Sequence, residues 1–329
     1  MPVFCKICRG VALALALMLA ACAVTEAPAG SQSTTPRLQS DVFIARDGTQ
    51  LPLRHWDPPS TDNNTPPRAV IVALHGMSDY SNSFDMPAKQ WAASGIATLA
   101  FDQRGFGDGP NPGLWAGSDV MRADFFDFVA AARARYPGLP VFALGESMGG
   151  AVLLSALTAS DAPHLDGVIL VAPAVWSRGD MPLSYRVALF VTAHLAPGLI
   201  LSNSAASHVV TIVPSDNVAM LRALSRDPLF QKQTRADALY GLVNLMDEAR
   251  AAPQKLPPGI PPILLMTGKK DQVIPQSATE GAIAELGSRA EVRRYAEGYH
   301  MLLRDMEGPK VNRDVADWVL SKVPAPQPK

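Results

Sequence analysis

The sequence predicts an α/β domain of three layers, with helices on both faces of a mostly parallel sheet, and three observations predict it. Short, continuous apolar runs at Ala69 to Leu74, Ile96 to Phe101, Pro140 to Leu144, Gly167 to Ala172 and Pro262 to Thr267 suit strands buried on both faces. Helical segments lie between them, as right-handed crossovers in a parallel sheet require. The alternation itself is the mark of layered α/β packing. With 329 residues, of which 48% are hydrophobic and 18% charged, the chain can bury one large core. Its 29 basic and 30 acidic side chains leave a net charge of −1, which excludes a nucleic-acid clamp.

A leader precedes the fold. Lys6 and Arg9 stand before an apolar run from Gly10 to Ala21, shorter than the ~20 residues that span a bilayer, so the run reads as an export signal. Leu19-Ala20-Ala21-Cys22 resembles the lipoprotein signal of bacteria, in which the cysteine is lipidated and becomes the first residue. An ordinary cleavage at Ala21-Cys22-Ala23 fits the small-residue rule as well. Cys5 and Cys8 lie before the cut, so the mature chain keeps Cys22 alone and no internal disulfide can form. Residues 1–22 are thus expected as a signal peptide and 23–40, rich in Pro, Gly, Ser and Thr, as a flexible tether. The protein is expected to be exported and anchored, through lipid on Cys22, to a membrane of the bacterial cell envelope.

The domain opens on an antiparallel pair, Asp41 to Arg46 and Thr49 to Trp56, because Asp47-Gly48 between them accepts the positive φ of a tight turn. The clearest helix runs from Asp119 to Tyr136, with Met121, Phe125, Phe128, Val129 and Ala132 on one face and Pro137-Gly138 as its stop. From Pro173 to Pro262 the strand rhythm breaks. Tyr185 to Leu195, Ser215 to Leu224 and Arg235 to Ala251 read as helices with no strand among them, hence an inserted cap at 174–261. Met181 to Leu201 is apolar enough to suggest a membrane span, but Arg186, His194 and Pro197-Gly198 interrupt it. The core is then 41–173 with 262–322, and the Pro-rich tail at 323–329 is expected to be disordered.

The sharpest chemical signal is Gly145-Glu146-Ser147-Met148-Gly149, a G-x-S-x-G stretch between a buried strand and a helix, the context a nucleophile elbow requires. A serine hydroxyl needs a base to take its proton and an acid to orient that base. Of 6 histidines, only His300 follows Ser147 in a loop after the last predicted strand. Asp271, in the loop after Ile263 to Thr267, is the expected acid, since strand carboxyl ends carry the catalytic groups of such sheets. Asp180 is the alternative. The oxyanion needs two preformed N–H donors, expected from Met148 at the start of a helix and from Met77 in the loop His75-Gly76-Met77-Ser78. His75 reads as a structural partner of that loop.

His75-Gly76, Phe101-Asp102-Gln103-Arg104-Gly105-Phe106-Gly107, Gly145-Glu146-Ser147-Met148-Gly149-Gly150, Gly268-Lys269-Lys270-Asp271 and Glu297-Gly298-Tyr299-His300 together resemble the α/β-hydrolase superfamily. Within it they are most similar to the monoacylglycerol lipase and lysophospholipase group, as is the cap stretch Arg226-Asp227-Pro228-Leu229. The resemblance spans about Asp41 to Leu320. It implies Ser147 as nucleophile, Asp271 as acid, His300 as base, Met77 and Met148 as amide donors, a structural role for Asp102 and Arg104, and neither metal nor organic cofactor. Asp108 to Gly117, rich in Gly and Pro, is longer than the group's usual connection at the pocket rim.

The expected activity is hydrolysis of lipid carboxylic esters of monoacylglycerol or lysophospholipid type. The alternatives are a serine aminopeptidase or proline iminopeptidase, which would need cap acids such as Asp227, Asp237, Asp247 or Glu248 to hold a free amine, and a binding lipoprotein without turnover.

Overall fold

The computed structural model describes residues 24–59, 66–202 and 212–323. Cys22 and the signal segment, His208 and residues 324–329 of the expected tail lie outside them. The strands in chain order are β1 (Arg37–Gln39), β2 (Val42–Ile44), β3 (Gln50–Trp56), β4 (Ala69–Leu74), β5 (Ile96–Phe101), β6 (Val141–Glu146), β7 (Gly167–Val171), β8 (Ile200–Ser202), β9 (Gln233–Arg235), β10 (Ile263–Gly268) and β11 (Ala290–Tyr295). A sheet of nine runs in the order β1-β2-β3-β5-β4-β6-β7-β10-β11. From β5 to β11 its neighbours are parallel, and β1, β2 and β3 form an antiparallel edge.

The apolar runs are apolar throughout because both faces of the sheet are covered. Ile71, Ala73, Phe142, Leu144, Ile169 and Leu264 point to one side, against Trp91 of α1 (Asp85–Ala93) and Val311, Val315 and Trp318 of the C-terminal helix Gly308–Lys322. Val70, Val72, Ala143 and Leu170 point to the other. There they meet Phe125 and Phe128 of α2 (Ser118–Arg135), Val152 of α3 (Met148–Ala156) and Ala278 and Ala282 of the helix Gln276–Leu286. The five residues predicted for the inner face of α2 are all buried. At ~25 cal/mol per Å² of apolar surface removed from water, this double burial is the main term holding the sheet.

The cap comprises α4 (Leu183–Leu195), α5 (Val218–Arg226) and α6 (Ala236–Ala251). It also holds a two-stranded antiparallel pair, β8 with β9, where no strand was expected. These strands are three residues each, Ile200-Leu201-Ser202 and Gln233-Thr234-Arg235, too short for a period to show. α6 is bound into the core, with Leu245, Met246 and Ala249 joining the cluster that contains α3. α5 carries no fully buried residue.

Two further expectations are corrected. β10 is not the last strand: β11 follows it as the sheet's edge, hidden in the sequence by Glu291, Arg293 and Arg294. The described part of the expected tether lies against the domain. Ala27 donates its N–H to the Trp115 carbonyl at 2.7 Å, Ser33 and Thr34 donate to the Arg46 carbonyl at 2.9 Å, and Arg37–Gln39 forms β1. Free backbone donors and acceptors in that stretch thus find partners on the core, which a composition-based reading does not detect.

Candidate active site

β6 ends in the elbow. Ser147 has φ 51° and ψ −113°, a strained conformation held because its N–H donates to Val171 O at 2.9 Å and its carbonyl accepts from Ala151 and Ala174. The turn is possible only with bare neighbours: a Cβ on Gly149 would lie 2.1 Å from Leu74 O, and one on Gly145 would lie 2.4 Å from the Gly149 carbonyl carbon. Met148 then begins α3, so its N–H is one of the helix's unpaired first donors.

The three distant side chains meet. The Ser147 Oγ lies 3.0 Å from His300 Nε2, and His300 Nδ1 lies 2.8 Å from Asp271 Oδ2. Asp271 is 8% exposed and its other oxygen accepts the N–H groups of Val273 and Ile274 at 2.8 and 3.0 Å, which fixes the carboxylate as an acceptor aimed at the ring. Asp180 is elsewhere, in a short turn beside Ser177 and Arg250. Lys270, a neighbour that a surface aspartate would use, pairs with Glu297 instead.

The histidine loop is tied to the acid loop through the backbone. Lys269 and Lys270 donate to Tyr295 O and Gly298 O at 2.8 Å, and a Cβ on Gly268 would lie 2.3 Å from Gly298 O, so the two loops touch where only glycine fits. The arrangement brings hydroxyl, imidazole and carboxylate into one line, capable of moving a proton off serine.

The loop after β4 abuts the serine. A Cβ on Gly76 would lie 3.2 Å from Ser147 Cβ, and Met77 follows directly. No acceptor among the described residues takes the N–H of Met77 or Met148. His75 holds this loop from beneath: Gln103 N–H donates to its Nε2 at 3.0 Å, so Nδ1 carries the proton and donates to Gly76 O at 2.9 Å. Complete burial lowers the His75 pKa, which keeps that tautomer neutral.

Asp102 and Arg104 are both buried and structural. Asp102 accepts from the backbone of Ser81 and Asp108, while Arg104 binds Asp47 and Asp124 at 2.7 Å. The long Asp108 to Gly117 connection folds back on Gly105, whose N–H donates to Pro110 O and whose carbonyl accepts from Gly113, and delivers buried Trp115 against Gly241 of α6.

The cap is hydrogen-bonded to the loops that carry Met77, Asp271 and His300. Gln231 N–H donates to Ser78 O at 2.8 Å and Tyr80 OH to Asp227 Oδ2 at 2.7 Å. Ser215 Oγ donates to Asp305 Oδ1 at 2.6 Å and Val213 N–H to Gln272 Oε1 at 3.0 Å. Sequence reasoning missed Asp79, Arg304 and Asp305, and saw Glu146 only as a spacer. The available signal was the spacing: an Arg-Asp pair after the apolar Met301-Leu302-Leu303, and a carboxylate directly before the serine. Among the described residues no cluster of three or more His, Cys, Asp or Glu side chains is placed to hold a metal ion.

Comparison with known proteins gives the same frame. The monoglyceride lipase of Homo sapiens is 26% identical over 291 residues, covering 88% of this chain and 91% of that protein. The monoacylglycerol lipase of Mycolicibacterium smegmatis is 28% identical over 284 residues, covering 85% and 96%. The solved structure of a soluble variant of the Saccharomyces cerevisiae monoglyceride lipase, in complex with a substrate analog, superposes with a TM-score of 0.71 at 19% identity, covering 92% of this chain and 100% of that one. Residues 65–307 match the family described as Hydrolase_4, serine aminopeptidase S33. With the elbow, the parallel sheet and the inserted cap all in this chain, it belongs to that family of α/β-hydrolases.

Proposed function

We propose that the protein is a serine hydrolase cleaving carboxylic esters of lipids, of monoacylglycerol or lysophospholipid type. The observation that carries this reading is the continuous Ser147–His300–Asp271 relay, at 3.0 and 2.8 Å, beside the amides of Met77 and Met148. In this reading His300 Nε2 takes the proton of Ser147 as Oγ attacks the ester carbonyl carbon. The oxyanion is met by the two N–H groups, and the C–O bond to the alcohol breaks as His300 returns the proton to it. Water then attacks the acyl carbon as His300 takes its proton, and the bond to Ser147 Oγ breaks as His300 returns that proton to the serine, freeing the fatty acid. Asp271 holds the ring's orientation and stabilises the imidazolium formed in each half.

Monoglyceride lipase relatives support a lipid ester as substrate. So does α4, which turns Leu183, Tyr185, Phe190 and Leu195 to solvent on the cap, an apolar face suited to lipid. The family's aminopeptidase description makes a peptidase the second reading. The pairing of the cap acids weighs against it: Asp227 is held by Tyr80, Asp237 by Arg235, Asp247 by Arg178 and Glu248 by Arg122, leaving none of the four free for a substrate amine. A binding lipoprotein would not need the relay. We further propose that the leader directs export with lipidation at Cys22. No helix of the described residues is long and apolar enough to cross a membrane.

The test is a panel of monoacylglycerols, lysophospholipids, short p-nitrophenyl esters and aminoacyl anilides, run on wild type and Ser147→Ala. The expected result is ester turnover that drops on the order of 10⁶-fold in the variant, with fluorophosphonate labelling lost. Anilide cleavage exceeding ester cleavage would sink the lipid-ester reading.

A further inference from the structure

Beneath the relay lies a charged cluster that the proton transfer does not use. Arg304, four residues after His300, is 6% exposed, and its Nη2 donates to Asp79 Oδ2 at 2.6 Å and to Glu146 Oε2 at 3.4 Å. Asp79 stands two residues after Met77 and Glu146 directly before Ser147, each 3% exposed. One guanidinium therefore joins the oxyanion loop, the nucleophile elbow and the histidine loop. The cluster is not built for stability. Among the described residues Arg304 Nε and Glu146 Oε1 have no partner, and two carboxylates share one cation. Buried polar groups left this way cost more than apolar packing of similar volume would.

Glu146 also faces the His300 ring electrostatically. Around Arg304 stand Asp79, Glu146, Asp305 and His75; on His300 bear Asp271 and Glu146. Without the guanidinium, the Asp79 carboxylate would stand uncompensated behind the imidazole and favour its protonated form, while Glu146, whose pKa burial already raises, would be pushed further toward its neutral acid.

Resting on the relay proposed above, we propose that Arg304 is a positioning residue for ester cleavage. It draws the Met77 loop and the Ser147 elbow onto the histidine loop, and its charge offsets chiefly the Asp79 carboxylate so that His300 is free to accept the serine proton. Burial independently raises the Glu146 pKa, which lessens the negative charge the guanidinium must balance.

The experiment measures kcat, KM and the pH profile of p-nitrophenyl butyrate hydrolysis for the full chain, with thermal melting and fluorophosphonate labelling alongside. Arg304→Met is expected to lower kcat ~10²-fold, the scale of a 1 Å misplacement, with KM little changed. Its acid limb should move up by about 1 pH unit. Arg304→Lys should return the limb toward wild type and recover part of kcat. Should Arg304→Met fail to fold, Asp79→Asn, of the same shape, supplies the converse: a limb moved to lower pH. A purely structural Arg304 would lower the melting temperature and leave the limb where it is. Unmoved limbs in the folded variants overturn the proposal, whereas absence of labelling at Ser147 in wild type would instead overturn the relay itself.

Discussion

Ser147 and Asp305 illustrate how single residues at this site are held against their preferences. The serine's φ of 51° is maintained by backbone bonds on both sides, and the glycines around it are there because carbonyls occupy the space a side chain would need. Asp305 is a carboxylate held by Tyr299 N–H at 2.7 Å and Ser215 Oγ at 2.6 Å, so it fixes the start of the histidine loop to the cap. Burial pushes its pKa up to about 6. Between the ordinary carboxylate value of ~3.9 and about 6 the native protein keeps a proton that the unfolded chain has released. The group therefore contributes stability at low pH that is lost as pH rises through about 6. Asp305→Asn cannot titrate, so wild type should exceed it in urea-unfolding free energy by more at pH 5 than at pH 8. Equal differences at both would show that the carboxyl is not perturbed in this way.

At the scale of elements, the strands buried on both faces and the turn-linked pair β2 and β3 were legible, whereas β8, β9 and β11 were not. β4 and β5 are apolar at every position because they lie between two layers, and the predicted bounds Ala69 to Leu74 and Ile96 to Phe101 coincide with the strands. β11 and the β8–β9 pair follow no such pattern, since an edge or a cap strand needs only backbone bonding. Among the helices, α5 depends on its cap. Asn217 Oδ1 accepts Met220 N–H at 3.1 Å, and its Nδ2 donates to Arg304 O at 2.9 Å. Asn217→Ala should cost about 1–2 kcal/mol in a denaturant titration, for the lost cap plus the lost tie to the histidine loop. Asn217→Asp keeps the capping acceptor but not the donor, and should recover about half. If aspartate fares no better than alanine, capping is not what Asn217 supplies.

For the molecule as a whole, the segment before β1 acts as part of the domain. Its bonds to Trp115 and Arg46 are joined by Gly30 N–H to Asp47 Oδ2 at 3.1 Å and Thr34 Oγ1 to Ala45 O at 3.0 Å. Asp47 in turn pairs with buried Arg104, so the segment braces the antiparallel edge of the sheet. A chain beginning at Arg37 should melt about 2–5 °C lower than one beginning at Val24, read by circular dichroism, since each kcal/mol shifts the midpoint by a few degrees. An unchanged midpoint would mean the segment only rests on the surface.

What the sequence by itself determined is whatever repeats or turns locally. The buried strands, the amphipathic α2, the elbow around Ser147 and the positions of Asp271 and His300 at strand ends are written in period, in glycine placement and in chain order. Only the tertiary structure decided that Asp271 rather than Asp180 lies within 2.8 Å of His300, that the cap acids are paired, and that Arg304 gathers Asp79 and Glu146 from loops far apart in the chain. The physical reason is that such contacts depend on which strands adjoin in the sheet and on how far each loop reaches beyond it. Both are fixed by burying the two apolar faces of the whole sheet at once, not by any stretch of residues read alone.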